Sequence, residues 1–253
     1  MADHSQRFNP CDPCEGKLLR ELFSLARERG CVEAWNRRAF SRFVEQARPS
    51  PSNASQVCPD LCEAVPVCVK PSLSASEINE VLAGADELEH RYGPQTLWCE
   101  GGFIRYGTAH CVLYLHHDGW LLHRLPTLCG RLVDEMRTQW EKWGLANSAS
   151  LNVRCIELHK YSVGGCLCLP DHRDSGSSIS MSVLLSSPSE CHGGRFITWD
   201  QQRTPHEHLL QRGDAVLFHS ERIHNVSPVL EGERSSLVIE LWFGPTQTRR
   251  RGD

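Results

Sequence analysis

The chain has 253 residues, 40% of them hydrophobic and 23% charged, with a formal net charge of −4 and a pI near 6.3. This balance is that of a globular protein with a core of its own, and it offers no general field for polyanions, which counts against nucleic acid as a partner. No apolar run reaches membrane-spanning length and residues 1–6 lack the basic and apolar regions of a secretory signal, so no membrane partner is expected.

Thirteen cysteines, an odd number without an export signal, read as reduced thiols in an intracellular protein, cytoplasmic or nuclear. Residues 1–63 are expected to form an N-terminal extension. In it, Leu18, Leu22 and Leu25 recur on one helical face up to Gly30, and Val32, Trp35, Ala39 and Phe43 resume the pattern, which predicts a helical hairpin. Residues 49–55 (PSPSNAS) read as a linker. Cys11, Cys14, Cys58 and Cys62 could offer four thiolates to zinc, but the two pairs lie on opposite sides of that linker, and scattered thiols are the simpler reading.

The main domain is expected over 64–243, opening with a short strand at 65–69. Ser74-Ala75-Ser76-Glu77 is a capping box, and Ile78, Val81, Leu82, Ala85 and Leu88 follow it as a helical stripe. A second helix is predicted from Pro126 to Trp143, with Leu128, Leu132, Met136, Trp140 and Trp143 inward and Gly144 as its stop. Residues 93–120 between them read as a loop. From Leu151 onward the pattern is that of strands, expected at 151–161, 166–173, 178–186, 194–199, 206–211, 215–220, 223–229 and 234–243, with turns at Gly193-Gly194 and Gly213-Asp214. A basic tail, 244–253, ends the chain.

The stretch from His172 to Ser236 carries the chemistry. Alternate residues of an extended strand share a face, so His172 and Asp174 are expected to point into one cavity while Arg173 points away. With His224 folded back over them, two imidazoles and one carboxylate form the ligand set of a non-haem Fe(II) oxygenase, which leaves coordination positions open. Arg234 and Ser236 share a face of the last strand; Arg234 would either meet an anionic ligand or pair with an acid such as Glu240 on the same face. His206-Glu207-His208 could belong to a cupin-type metal site, but no glutamate and later histidine follow at useful spacing, so a solvent-facing pair is preferred. His192 and His219 are either at the pocket mouth or structural.

The segment from Tyr161 through His172-Arg173-Asp174, then VLLSSPSECHGGRF, RGDAVLFHSERIHNVSPV and ERSSLVIELW, resembles the 2-oxoglutarate- and Fe(II)-dependent dioxygenases of the prolyl 4-hydroxylase type, loosely from Val65 and densely over the last ninety residues to Phe243. The resemblance implies a mainly β, α+β fold in which helical additions buttress a double-stranded β-helix, or jelly roll. It implies His172, Asp174 and His224 as iron ligands and catalytic centre, Arg234 as the partner of the distal carboxylate of 2-oxoglutarate, and Tyr161 and Ser236 as further cosubstrate contacts. It also implies Fe(II), 2-oxoglutarate and O₂ as the reacting set, with ascorbate as a possible reductant. The strand after His172-Arg173-Asp174 departs from the family: it reads Ser180-Met181-Ser182-Val183-Leu184, without the tyrosine that prolyl hydroxylases commonly place there.

The resulting expectation is an oxygenase that hydroxylates an unactivated C–H bond of a protein or peptide side chain while 2-oxoglutarate is decarboxylated to succinate and CO₂. Alternatives are a nucleic-acid demethylase or small-molecule hydroxylase of the same superfamily, or a non-catalytic jelly-roll binding module. Halogenation is disfavoured because Asp174 stands where halide would bind. Substrate choice is expected in loops 93–120 and 187–192. The acceptor and the oligomeric state have no signature in the sequence.

Overall fold

The computed structural model describes residues 13–50, 64–99, 103–105 and 109–248. Cys11, Cys58, Cys62, the side chain of Cys14 and the arginine run 249–251 lie outside the described part, so the zinc alternative falls there too. The expected hairpin is present as α1 (Pro13–Glu28) and α2 (Val32–Ala47). Its inward face is rotated from the expected one. Phe23 and Ala26 are buried, whereas Leu22 and Leu25 are 41% and 45% exposed. The α2 residues Phe43 and Ala47 join Ile197 and Trp199 in one buried cluster, and Arg27 pairs with Glu231 at 2.6 Å, so the hairpin packs on the sheet region.

After β1 (Val67–Val69), the capping box closes as predicted: the Ser74 backbone N–H donates to Glu77 Oε2 (2.8 Å) and the Glu77 N–H to Ser74 Oγ (3.3 Å). Helix α3 (Ala75–Cys99) follows, with Ile78, Val81, Ala85 and Leu88 buried and Leu82 half-buried. The 93–120 stretch is not a free loop. It holds the end of α3, β2 (Phe103–Arg105), β3 (His110–Tyr114) and the start of α4 (Trp120–Arg124). β3 pairs along β4 (Asn152–Tyr161), so His110 lies opposite Tyr161. Pro126 starts α5 (Pro126–Lys142), whose Leu128, Leu132, Met136 and Trp140 are buried, and Gly144 leaves the helix at φ +77°.

The remaining strands are β5 (Ile179–Leu184), β6 (Cys191–Gly193), β7 (Phe196–Trp199), β8 (Pro205–His208), β9 (Ala215–His219), β10 (His224–Val226), β11 (Val229–Gly232) and β12 (Arg234–Trp242). The main sheet has seven strands in the order β1-β9-β5-β12-β4-β3-β2. Smaller sheets β10-β7-β8 and β11-β6 complete the β structure. The short strand β6 begins inside the expected loop 187–192, and β11 begins at the end of the expected strand 223–229 and fills most of the gap before 234–243.

Burial explains the layers. The face of the main sheet carrying Val153, Met181, Leu217, Leu237, Ile239 and Leu241 shares one apolar core with α3 and α5. On its other face, Tyr161, Val216 and Phe218 meet Phe196, Val226 and Val229 of the smaller sheets. The alternation of β strands thus sends one set of side chains under the helices and the other into the space between sheets.

Candidate metal and cosubstrate centre

His172 and Asp174 do not lie on a strand. Residues 168–178 are irregular after a single bridge between Leu167 and Val226, and the turn residue Asp171 has φ +64°. The expected sharing of a strand face therefore does not explain their convergence. Hydrogen bonds to distant segments do: the Asp174 N–H donates to Ser220 O (3.0 Å), the His224 N–H to His172 O (3.2 Å), and Asn225 Nδ2 to Leu169 O (2.9 Å). The turn after Asp174 is fixed from β4, where Arg154 donates to Ser175 O and Ser177 Oγ (2.8 Å each).

The result is a compact donor set. Asp174 Oδ1 lies 3.7 Å from His172 Nε2 and 3.5 Å from His224 Nε2, and one ligand atom of each residue falls within 4.8 Å of the others. His224 Nδ1 donates to the Arg222 carbonyl (3.0 Å), which fixes the tautomer and leaves the Nε2 lone pair facing Asp174. Burial pushes the His224 imidazole down to about 4, so it is neutral near pH 7. Burial works against the Asp174 carboxylate, but His224, His172 and the Ser180 hydroxyl outweigh it and hold its pKa below the usual range. A neutral His224 imidazole beside an ionised Asp174 carboxylate suits a divalent cation, and His172 completes the set of donor atoms, so these residues fit the metal.

Arg234 stands at the start of β12, opposite Tyr161 in register and 2% exposed. Its Nη1 donates to Ser236 Oγ (2.8 Å), its guanidinium lies 5.5 Å from the centre of the Tyr161 ring, and its buried Nε has no hydrogen-bond partner. Among the described residues no carboxylate lies within ion-pair distance of it. Glu240 shares its face, but six residues along an extended strand is roughly 20 Å, and Glu240 instead faces Arg154 (3.6 Å) and Ser177. Burial pushes the nearby Cys191 thiol up to about 11, so it supplies no counter-charge. A buried cation without an anion is costly, and the orphan Nε aims a donor at whatever binds there.

Space beside this cation is kept by Gly194. A Cβ at that position, where φ is +59°, would come within 2.7 Å of Arg234 Cδ. A cavity of about 360 Å³ lies against Arg234, walled by Leu184, Cys191, Gly194, Phe196 and His208 and reached by Asn36 of the hairpin.

Beside Tyr161 lies a set of polar residues that the sequence reading missed. With Glu157 as acceptor, His159 Nε2 donates to Oε2 (2.8 Å), and His159 Nδ1 is left to accept from His110 Nε2 (3.0 Å). His110 stacks on Tyr161 at 3.9 Å, and burial pushes its imidazole far down. The signal was available: Cys155, Glu157, His159 and Tyr161 alternate along one strand, so whatever faces inward with Tyr161 includes the glutamate and the histidine.

The rival histidines have structural partners. His206 pairs with Asp200 (3.0 Å), and His208 bonds Thr198 Oγ1 (2.8 Å) and lies 3.6 Å from Cys68 Sγ. His219 stacks on Trp140 at 5.7 Å, and His192 lies 3.8 Å from Glu231.

Residues 156–244 match the family model described as the 2OG-Fe(II) oxygenase superfamily. A part of the chain is 35% identical over 89 residues to a PKHD-type hydroxylase of Xylella fastidiosa (strain M12), covering 32% of this chain and 38% of the relative. A PKHD-type hydroxylase of Aliarcobacter butzleri (strain RM4018) is 36% identical over 67 residues, covering 26% of this chain and 28% of the relative. The match thus spans less than two fifths of these relatives' length.

Among solved structures, a 2OG-Fe(II) oxygenase family oxidoreductase from Burkholderia pseudomallei aligns with a TM-score of 0.54 at 17% identity, over 81% of this chain and 97% of that one. AviO1 from Streptomyces viridochromogenes Tue57 aligns with a TM-score of 0.51 at 16% identity, over 83% and 97%. These likenesses show the fold, the jelly roll with helical additions that the sequence led us to expect.

Proposed function

We propose that this chain is an Fe(II)- and 2-oxoglutarate-dependent oxygenase that hydroxylates an unactivated C–H bond, with a protein or peptide side chain as the first acceptor to test and a small molecule as the second. The observation that carries the proposal is the presence of two features in one fold: a convergent His172, Asp174, His224 donor set, and a buried Arg234 with no carboxylate within ion-pair distance among the described residues. A non-catalytic binding module has no need of both. The hydroxylase names of the sequence relatives support the reaction type.

His172, Asp174 and His224 would hold the iron. Bound there with 2-oxoglutarate, Fe(II) supplies O₂ activation and C–H oxidation, coupled to loss of CO₂ and formation of succinate. The chain's own contribution is orientation. Arg234 presents a planar fork, steadied by Ser236 and the Tyr161 ring, to the far carboxylate of the cosubstrate. His110 and His159, linked to each other and to Glu157 by hydrogen bonds, pack beside the Tyr161 ring and hold it in place. Phe196 and Phe218 lie against His224, with ring centres 5.8 and 4.7 Å away, and exclude water from that side of the site. Ascorbate would serve as an external reductant.

The same proposal puts the chain in a reducing compartment, cytoplasmic or nuclear; the eight cysteines whose side chains are described are all thiols. The test is to load the protein with Fe(II) and 2-oxoglutarate without oxygen, admit O₂, and measure succinate together with the mass of candidate peptides and extract metabolites. Succinate formation with an acceptor gaining one oxygen atom is expected. Retention of no iron and formation of no succinate would overturn the reading.

A further inference from the structure

The carboxylate of Asp174 has two oxygens in different surroundings. Oδ1 faces the imidazole nitrogens of His172 and His224. Oδ2 accepts a hydrogen bond from Ser180 Oγ at 2.6 Å, and Ser180 Oγ lies 2.8 Å from Ser220 Oγ. Both serines are fully buried, so no bulk water competes for these contacts.

A hydroxyl has one proton to give. With the Ser180 proton committed to Asp174, the Ser180 oxygen can only accept from Ser220, which orders the pair in one direction. The Ser220 backbone is held as well, its N–H donating to Ser178 O and its carbonyl accepting from the Asp174 N–H (3.0 Å each). Ser180 sits in β5 opposite Glu240 of β12 and Phe218 of β9, on strands paired on both sides. Its side chain is therefore set by the rigid sheet, whereas Asp174 lies in an irregular segment that has no ladder to orient it.

We propose that Ser180, backed by Ser220, is a positioning residue that reserves Oδ2 of Asp174 for the protein and presents Oδ1 alone to the metal. The proposal rests on the functional reading above. Its chemical consequence concerns the open face: a carboxylate bound through one oxygen leaves one more coordination position free than a carboxylate bound through both.

The test compares wild type, S180A, S180T and S220A as full-length apo protein. Each is titrated anaerobically with Fe(II), and separately with Co(II) for its visible absorption spectrum, while circular dichroism monitors the fold. S180A is expected to bind Fe(II) about 10–100-fold more weakly and to show a changed Co(II) spectrum. S180T keeps the hydroxyl and should recover both readouts, and S220A should shift the spectrum with a smaller loss of affinity. Wild-type affinity and an unchanged Co(II) spectrum in S180A overturn the proposal while leaving the functional reading in place. If S180A does not fold, S220A decides in the same way, an unchanged spectrum and affinity overturning it. Absence of Fe(II) binding in wild type overturns the functional reading and this proposal with it.

Discussion

The two faces of β12 solve opposite problems with alternate residues of one strand. Leu237, Ile239 and Leu241 point to the helices, each at most 1% exposed, and join the core made with α3 and α5. Arg234, Ser236 and Glu240 point the other way and are buried almost as completely, at 2%, 2% and 1%. Apolar burial stabilises by roughly 25 cal/mol per Å², whereas an interior charge costs unless it is paired. The helix-facing side can therefore hold the sheet in shape while the inward side keeps groups that no stability argument would place there. Glu240 is settled by Arg154 and Ser177, and Arg234 is not settled by any carboxylate among the described residues.

If this division holds, substitutions on the two sides should separate stability from metal binding. Asp174→Ala or His172→Ala should abolish Fe(II) retention and leave the thermal midpoint of the apo protein nearly unchanged, because the apolar core does not include them. Leu237→Ala should do the reverse, lowering stability by about 2–5 kcal/mol while any protein still folded binds iron. Metal titration and thermal denaturation of the same preparations check this, and a Leu237→Ala protein that folds normally but fails to bind iron would break the separation.

Acid should find the inward side first. His224 and His208 each lie near 4 in the folded protein against an ordinary 6.5, both through burial. The unfolded chain then binds more protons between these values, so apo stability is full above about pH 6.5 and falls as pH drops toward 4, by up to about 1.4 kcal/mol per pH unit for each group. Chemical denaturation across that range measures the slope. His208→Gln should reduce it without affecting iron binding at neutral pH, and an unchanged slope would remove His208 from the account.

The smallest effect is expected at the cation. Arg234→Gln should raise the 2-oxoglutarate requirement at least about tenfold, or about 1.4 kcal/mol, with Fe(II) binding nearly intact. Arg234→Lys should lose less, since charge survives and the fork does not. Titrating 2-oxoglutarate into the iron-loaded variants and following the charge-transfer absorbance gives the midpoint; an unchanged value would take Arg234 out of the cosubstrate site.

Local patterns carried far along the chain. Ser74 and Glu77 announce the start of α3, the stripe from Leu128 to Trp140 specifies α5, and the alternation from Arg234 to Trp242 yields β12, because each depends on neighbours a few residues away. Strand β3 escaped because the register that makes it a strand is supplied by β4, some fifty residues downstream in sequence, and β2 escaped with it because β2 pairs on β3. The inward side of α1 escaped for a similar reason: Leu22 and Leu25 satisfy helical periodicity, yet the surface that α1 meets selects Phe23 and Ala26.

At the candidate site, residue types and their order led to His172, Asp174 and His224 as a group that could hold a divalent metal, and to Arg234 as a cation that a dicarboxylate would neutralise. How those groups meet was decided only in three dimensions. His172 and Asp174 converge without a strand, through backbone bonds to Ser220 and His224, and Asp174 is turned by Ser180 from the main sheet. Side-chain identity is a local property of the sequence, whereas orientation in an irregular segment is set by hydrogen bonds to residues roughly six to fifty positions away, and no spacing rule within the His172-Arg173-Asp174 triplet contains them.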